Sequence, residues 1–471
     1  MENKEQYQKE QNQLLQTLLD YRFFNPWKNM TAYSDTMRSL RLETKLELYI
    51  TSTCNQKCEY CYLQKYPQLY PKEFNKPSTI LHNLNIFLKY LSANRYKIPE
   101  ISIFSGDIWA SEFGWEILET LYTYISKGLE VGCITLPTNC SFVSDPIAVQ
   151  KMQQIIDKFN AIGCPFIISI SVDGKIIDAM DRPRNDENDA YTDEFYERLG
   201  AFARINNFLF HPMVSAQNIK YWRENYEWWE KYLKYYDYTL DAIMMLEVRD
   251  ANWTDENIQD YCNFLEYLTD RWLKEKCNGD PKIFAQQLSY SGQAMERLDL
   301  NGSSYMPWLI GHSDNFIGCT IPNHLTVRLG DLAICPCHRT AYNEYLYGYF
   351  NVENDIITGV RAVNPTIAVK ILMSNVLNST PLCDQCPINK CCLKGCLGSQ
   401  FEYGKDIFMP LTNICKFFKR KAATIFKYYR EHGIIKCLED IGPDEYYSDD
   451  AAHILKINDL IGDQIDELGK I

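Results

Sequence analysis

The sequence predicts an α/β fold, a partial (β/α)6 TIM-like barrel followed by a cysteine-rich C-terminal domain. Three observations predict it. From Leu46 a short β-rich run, a turn and a helical stretch recur six times, the pattern of parallel strands joined by crossover helices. No run of eighteen apolar residues competes as a membrane span. Near residue 278 the alternation stops, and from Asn301 to Cys415 the chain reads as loop, dense in cysteine.

In chain order, residues 1–43 read as an N-terminal extension: an amphipathic helix carrying Leu14, Leu15, Leu18 and Leu19, then an aromatic loop, FFNPW. Residues 44–300 hold the barrel. Its strand candidates are LELYITST, ISIFSG, GCITLPTN, FIISISVDG, FLFHPMVSA and AIMMLEVR, rich in β-branched and aromatic residues. Helical stretches lie near 77–94, 112–128, 146–162, 193–206, 217–235 and 255–276. Residues 301–416 form the cysteine-rich domain, and 417–471 a tail with a basic helical stretch, FFKRKAATIFKYYREHG, before an acidic one, HILKINDLIGDQIDELG.

The chain of 471 residues is long enough for two or three domains. Its formal charge of −13 argues against nucleic acid or an anionic membrane as the main partner. The polar N-terminus lacks the apolar core of a signal peptide, so a cytoplasmic protein is expected. In a reducing compartment, 18 cysteines point to metal or redox chemistry before disulfides.

The stretch TSTCNQKCEYCYL places Cys54, Cys58 and Cys61 at C-x3-C-x2-C, after the first strand. In barrels of this kind chemistry gathers at the C-terminal ends of the strands. Three thiolates can hold three irons of a [4Fe–4S] cluster and leave the fourth open, as a catalytic metal requires. A molecule with an amine and a carboxylate can chelate that iron. S-adenosylmethionine has both beside its sulfonium, and one electron can cleave its S–C5′ bond to a carbon radical. A zinc site with a distant fourth ligand, or small buried cysteines, are the simpler readings.

With Tyr60 before the third cysteine, the stretch resembles the radical S-adenosylmethionine superfamily. FSGDIW, with Ser105, Gly106 and Asp107, stands at the family's Gly-Gly-Glu-Pro loop, whose backbone and carboxylate hold the methionyl amine. Its first Gly is Ser here and its Pro is Ile108. TNC, with Asn139, stands where Thr-Asn-Gly is usual, and SVDG, with Ser171 and Asp173, matches the family's Ser-x-Asp-Gly. Arg182 lies where a following arginine meets cofactor or substrate, and Asn218 fits the polar position after the fifth strand. The resemblance implies that Tyr60, Ser105, Gly106, Asp107, Asn139, Ser171, Asp173 and Arg182 bind the cofactor. Taken singly, Gly106 and Gly174 also read as turn glycines and Asp173 as a turn cap.

The later cysteines, Cys319, Cys335, Cys383, Cys386, Cys392, Cys396 and Cys415, resemble the SPASM extension of that superfamily, all seven positions being present with Gly330. The resemblance spans roughly residues 46–415. It implies that Cys383, Cys386, Cys392 and Cys415 bind an outer auxiliary cluster and that Cys319, Cys335 and Cys396 bind an inner one. Cys337 is the local candidate for the inner cluster's last ligand; the rival is a substrate thiolate. Read without the resemblance, the field is a pair of zinc knuckles. The implied cofactors are S-adenosylmethionine and three [4Fe–4S] clusters, one radical and two auxiliary. The implied partners are a substrate peptide or protein and an electron donor such as flavodoxin or ferredoxin; the peptide's leader would be bound either by a separate leader-peptide-binding protein or by the barrel and tail directly. The implied function is maturation of a ribosomally made peptide by a thioether or carbon–carbon crosslink. Formylglycine generation in sulfatases is the alternative; Pro336 stands where that branch carries an Asp. A non-catalytic iron–sulfur or zinc protein is the third reading. No catalytic acid or base is assigned from sequence.

Overall fold

The computed structural model describes residues 2–30, 44–70, 72–104, 106–110, 113–182, 191–238, 243, 245–289, 321–373, 381–389, 392, 395–441, 449–464 and 467–468. Eleven strands are found there: β1 (Lys45–Tyr49), β2 (Lys97–Phe104), β3 (Glu130–Thr138), β4 (Phe166–Ile170), β5 (Asn207–Phe210), β6 (Met213–Val214), β7 (Leu246–Glu247), β8 (His324–Arg328), β9 (Ala333–Cys335), β10 (Gly348–Glu353) and β11 (Ile356–Ala362). They fall in two compact units.

The first unit carries a nine-stranded sheet ordered β11-β10-β9-β8-β1-β2-β3-β4-β5. The strands from β8 through β1 to β5 pair in parallel, and β8 to β11 pair antiparallel. Crossover helices Pro77–Ala93, Gly114–Ser126, Pro146–Ala161 and Asp193–Ala203 match four predicted stretches. Pro at the first helical position starts two of them, and the side chains of Asp145 and Thr192 cap two N-termini. Leu46 and Leu48 of β1, Ile101, Ile134 and Ile168 are buried, each side chain contributing about 1.5–3 kcal/mol relative to exposure. A parallel strand is covered on both faces, so Glu47, between those leucines, is buried too.

Three expectations are corrected. The loop-like reading of the region after Asn301 gives way to β8–β11, of which β8 extends the barrel sheet next to β1. These strands are short and interrupted by His, Thr, Arg, Gly and Asn, which weakens their alternation. The fifth run, FLFHPMVSA, is broken at His211–Pro212, where proline has no N–H to give a ladder. Its halves are β5 in one sheet and β6 in another. The FFNPW loop is helical: a π-turn, Asp20–Phe24, runs into Asn25–Asn29, burying Phe23, Phe24 and Trp27. The helix Glu2–Leu19 ahead of it lies along β11, and Asn12 Oδ1 accepts the Ala362 N–H at 2.9 Å.

The second unit holds the two-stranded parallel sheet β6-β7 and the helices Trp222–Tyr235, Asp255–Arg271, Pro281–Ser289, Thr412–Glu431, Ile434–Ile441 and Asp449–Ile461. The Arg430 guanidinium donates to Asn458 Oδ1 at 2.8 Å and to the Asn458 and Gly462 carbonyls at 3.0 Å, tying two of these helices together.

Candidate active site

Cys54, Cys58 and Cys61 lie on the loop after β1, where chain reversal leaves backbone donors free to meet sulfur. The Gln56 N–H donates to Cys54 Sγ at 3.4 Å, and the Asn139 amide lies 3.9 Å from the same sulfur. Cys61 precedes the short helix Tyr62–Lys65. Burial, with Asp107 nearby, pushes the Cys54 thiol up to about 12, and burial raises Cys61 also. Low-dielectric surroundings thus oppose bare thiolates, and a cationic partner is needed to hold them ionised.

Gln56 is the hub of the loop. Its Oε1 accepts from Arg182 at 2.9 Å and from the Cys58 thiol at 3.5 Å. Arg182 also donates to the Tyr60 hydroxyl at 3.1 Å and lies 3.4 Å from Asp178, whose other oxygen accepts the Tyr196 hydroxyl at 2.6 Å. The Glu59 N–H donates to the Asp181 carbonyl at 2.8 Å. Arg182 therefore clamps the cysteine loop from the helix Lys175–Asp181.

The end of β2 is stitched to the same loop. The Gly106 and Asp107 N–H groups donate to the Thr51 and Thr53 carbonyls at 2.8 and 2.9 Å. A Cβ on Gly106 would stand 1.9 Å from the Thr53 oxygen, so only glycine fits. The Asp107 carboxylate, fully buried and raised by desolvation, accepts from Trp109 N at 3.0 Å, Asn139 N at 2.7 Å and Thr138 Oγ1 at 3.0 Å. It joins the ends of β2 and β3. Asn139 in turn holds Asn55 at 2.7 Å, and Ser171 N donates to Thr138 O at 2.8 Å. Gly106, Asp107, Asn139 and Ser171 thus line up along successive strand ends beside the cysteine loop. Ser105 lies outside the described residues.

Asp173 and Asn218 belong to the second unit, where both build backbone. Asp173 Oδ1 accepts Met213 N at 2.7 Å, and its carbonyl accepts from Asn225 and Trp229 at 2.8 and 3.0 Å. Asn218 accepts from Ser215 N at 2.8 Å and Trp222 Nε1 at 2.9 Å and donates to Met213 O at 3.0 Å.

Cys335 and Cys337 are buried in the first unit, at the end of β9 and in the turn after it. Burial pushes Cys335 up to about 12 against the pull of Arg328. His338 stacks on Phe104 with centroids 3.7 Å apart, and Tyr62 feels both Cys61 and Cys337. The turn therefore packs beside the first cysteine loop. In the second unit Cys383, Cys386 and Cys392 all act on Cys415, whose thiol is pushed up to about 11 by burial and by them, so these four are gathered. Cys396 precedes the helix Leu397–Gly404; Cys319 lies outside the described residues. Among the described residues, no three His, Cys, Asp or Glu side chains stand ready to share one metal ion. Thiolates of a cluster each take a different iron and stand wider apart. The soft, all-sulfur donor sets, with N–H groups aimed at Cys54, fit iron–sulfur clusters.

Sequence reading did not single out Glu47. Its carboxylate faces His324 Nδ1 at 3.1 Å and His338 Nδ1 at 3.3 Å and accepts from Thr326 at 2.9 Å, with Lys45 at 3.6 Å. Burial pushes this carboxyl up, but the two imidazoles outweigh it and hold it well below its ordinary 4.5. A depressed carboxyl stabilises the fold above its unfolded pKa and loses that contribution as pH falls through the folded value. Glu47→Gln is expected to cost about 1–3 kcal/mol near neutrality, because it takes the buried carboxylate acceptor from Thr326, Lys45 and two imidazoles, of which burial holds His324 below its ordinary pKa. The gap from wild type should narrow progressively below pH 4.5 in urea melts; a gap constant with pH would show that the charge is not the cause.

No protein-family model matches the sequence, and no curated protein matches it. Its fold is that of the radical S-adenosylmethionine enzymes with a SPASM extension. The structure of hexahistidine-tagged anSMEcpe with bound AdoMet, an anaerobic sulfatase-maturating enzyme, covers 90% of this chain and 98% of its own, at TM-score 0.51 and 16% identity. Native anSMEcpe with bound AdoMet covers 83% of this chain and 99% of its own, at TM-score 0.52 and 16% identity. The same enzyme with AdoMet and the Cp18Cys peptide gives TM-score 0.51 and 17% identity over the same shares. No helix among the described residues is long and apolar enough to cross a membrane.

Proposed function

We propose that this protein is a radical S-adenosylmethionine enzyme that modifies a ribosomally made peptide, forming a thioether or carbon–carbon crosslink. The observation that carries it is the convergence of the three-cysteine loop, Gly106, Asp107, Asn139 and Ser171 on successive strand ends of one sheet. Cys54, Cys58 and Cys61 would hold the radical cluster. Cys383, Cys386, Cys392 and Cys415 would hold the outer auxiliary cluster. Cys319, Cys335 and Cys396, with Cys337, would hold the inner one. When bound, the radical cluster and S-adenosylmethionine supply reductive cleavage to a carbon radical.

The chain's own residues position and seal that chemistry. Arg182 and Gln56 fix the cysteine loop from one side, and the β2 loop holds it from the other. With Thr138, Asn139 and Trp109 all donating to it, Asp107 acts mainly by shaping the loop, so the backbone around Gly106 is the group left to meet the methionyl amine. Flavodoxin or ferredoxin would deliver the electron, and a separate leader-binding protein could present the peptide. The protein–peptide complex of anSMEcpe supports a peptide as substrate class.

Formylglycine generation is the second reading, favoured by the near-complete coverage of the anSMEcpe chain. Pro336 after Cys335 speaks against it, since proline offers no base where that branch carries an Asp.

The test is anaerobic reconstitution, reduction with S-adenosylmethionine, and measurement of 5′-deoxyadenosine and iron. About twelve irons per chain with deoxyadenosine formed is the expected result. Bound zinc without deoxyadenosine would sink the enzyme reading. With a Cys-containing peptide added, loss of two hydrogens with a new crosslink supports peptide maturation. A hydrazide-reactive aldehyde supports formylglycine instead.

A further inference from the structure

The helix Thr412–Glu431 carries Cys415 and, about 9 Å further along its axis, Lys421. Lys421 is 2% exposed. A lysine costs several kcal/mol to bury charged unless it is paired. Its partner is Glu247 of β7, also buried, which accepts from the Lys421 ammonium and, at 2.7 Å, from the Tyr261 hydroxyl. The ammonium lies over three rings, with centroids at 5.6 Å for Tyr261, 5.9 Å for Phe417 and 5.6 Å for Phe418. Arg249, whose guanidinium lies 6.0 Å from the Phe418 ring, adds a second cation acting on Glu247. With Arg249, which is half-buried, two cations face one carboxylate, and the group carries a net positive charge. Burial pushes the Lys421 pKa down, Glu247 draws it back up, and Cys392, one of the four cysteines, also acts to raise it. All of these residues lie in the second unit.

We propose that Lys421 sets the reduction potential of the outer auxiliary cluster, with Glu247 and Tyr261 as the residues that hold it in place. The inference rests on the proposed function, in that Cys383, Cys386, Cys392 and Cys415 hold a cluster. One-electron reduction by an external donor adds one negative charge to that cluster. A nearby buried cation stabilises the reduced form more than the oxidised form, and so raises the potential. The lysine is a positioning and tuning residue and touches no substrate. An ion pair serving only to pin the helix to β7 would leave the potential where it is.

The experiment uses the full chain with Cys54, Cys58 and Cys61 changed to alanine, so that only auxiliary clusters are loaded, and reads potentiometric titrations by electron paramagnetic resonance. Lys421→Met should lower one of the two reduction steps by about tenfold in the oxidised-to-reduced ratio, which is about 59 mV for one electron. The other step should stay in place. Lys421→Arg keeps the charge and should stay near the parent. Glu247→Gln removes the opposing carboxylate and should move the same step upward. A purely structural pair would not produce opposite signs at the two partners. Unmoved steps in both variants, with iron content equal to the parent, would overturn the proposal. Iron missing from the parent itself would show that the four cysteines hold no cluster, and the tuning role would fall with that assignment.

Discussion

Cys54, Cys58 and Cys61 changed together to alanine should leave S-adenosylmethionine cleavage at background while about eight of about twelve irons remain bound. The two results separate because the cysteine fields occupy different elements. The first set sits on the loop after β1, whereas the gathered set of Cys383, Cys386, Cys392 and Cys415 lies in the second unit. Alanine removes each sulfur without adding a polar group, so little is lost in folding beyond the weak contacts to Gln56 and Asn139 and the volume of the thiols. Deoxyadenosine formed at the parental rate by the triple variant would remove the radical site from this loop. Iron falling to zero would instead mean that the loop is needed to assemble every cluster.

Gly106→Ala should have an effect of similar size from one methyl group. The added carbon would meet the Thr53 carbonyl oxygen at 1.9 Å and its carbon at 2.6 Å, and both are backbone. No rotamer change relieves that contact. The β2 loop must move off the cysteine loop, losing the bonds from the Gly106 and Asp107 N–H groups to Thr51 and Thr53. Overpacking of this kind costs about 1–3 kcal/mol, and two lost hydrogen bonds add about 1 kcal/mol each. S-adenosylmethionine affinity, followed by equilibrium dialysis on reconstituted protein, should fall at least about a hundredfold, which corresponds to about 2.7 kcal/mol. Unchanged affinity would take the β2 loop out of the cofactor site. Gly106→Ser should be no better than alanine, because the same Cβ is the obstacle.

The cysteine loop was legible because spacing is a local property: three thiols on a short segment after a strand need no knowledge of distant contacts. The first four βα units were legible for the same reason, each strand being a short run rich in apolar and β-branched residues followed by a helical stretch. The other features depended on long-range partners. β8 shows few signs of a strand in HLTVR until β1 pairs with it, and FLFHPMVSA looks like one strand until Pro212 divides it. Asp107 is marked by its motif, but the three donors to it, from its own loop and from the end of β3, become visible only in the fold. Gln56 has no motif to mark it; its importance comes from Arg182, far away in sequence. Glu47 did carry a signal, a carboxylate between two leucines on a strand covered on both faces, where a buried charge must find partners. Its partners, His324 and His338, belong to the segment that read as loop.

The helix Glu2–Leu19 also bears on how the protein behaves at high concentration. The last strand of an open sheet offers its outward N–H and C=O groups to any passing chain. Here Asn12 and Gln8 satisfy both backbone groups of Ala362 at 2.9 and 3.1 Å, and Leu15 closes over Gly348 so tightly that a Cβ there would stand 2.7 Å from its methyl. The amide side chains imitate the neighbour that β11 lacks, while the helix that bears them cannot itself propagate a sheet. The Ala362 end of an edge that could seed intermolecular β-pairing is thereby capped from within the same polypeptide, and resistance to aggregation becomes a role for this segment.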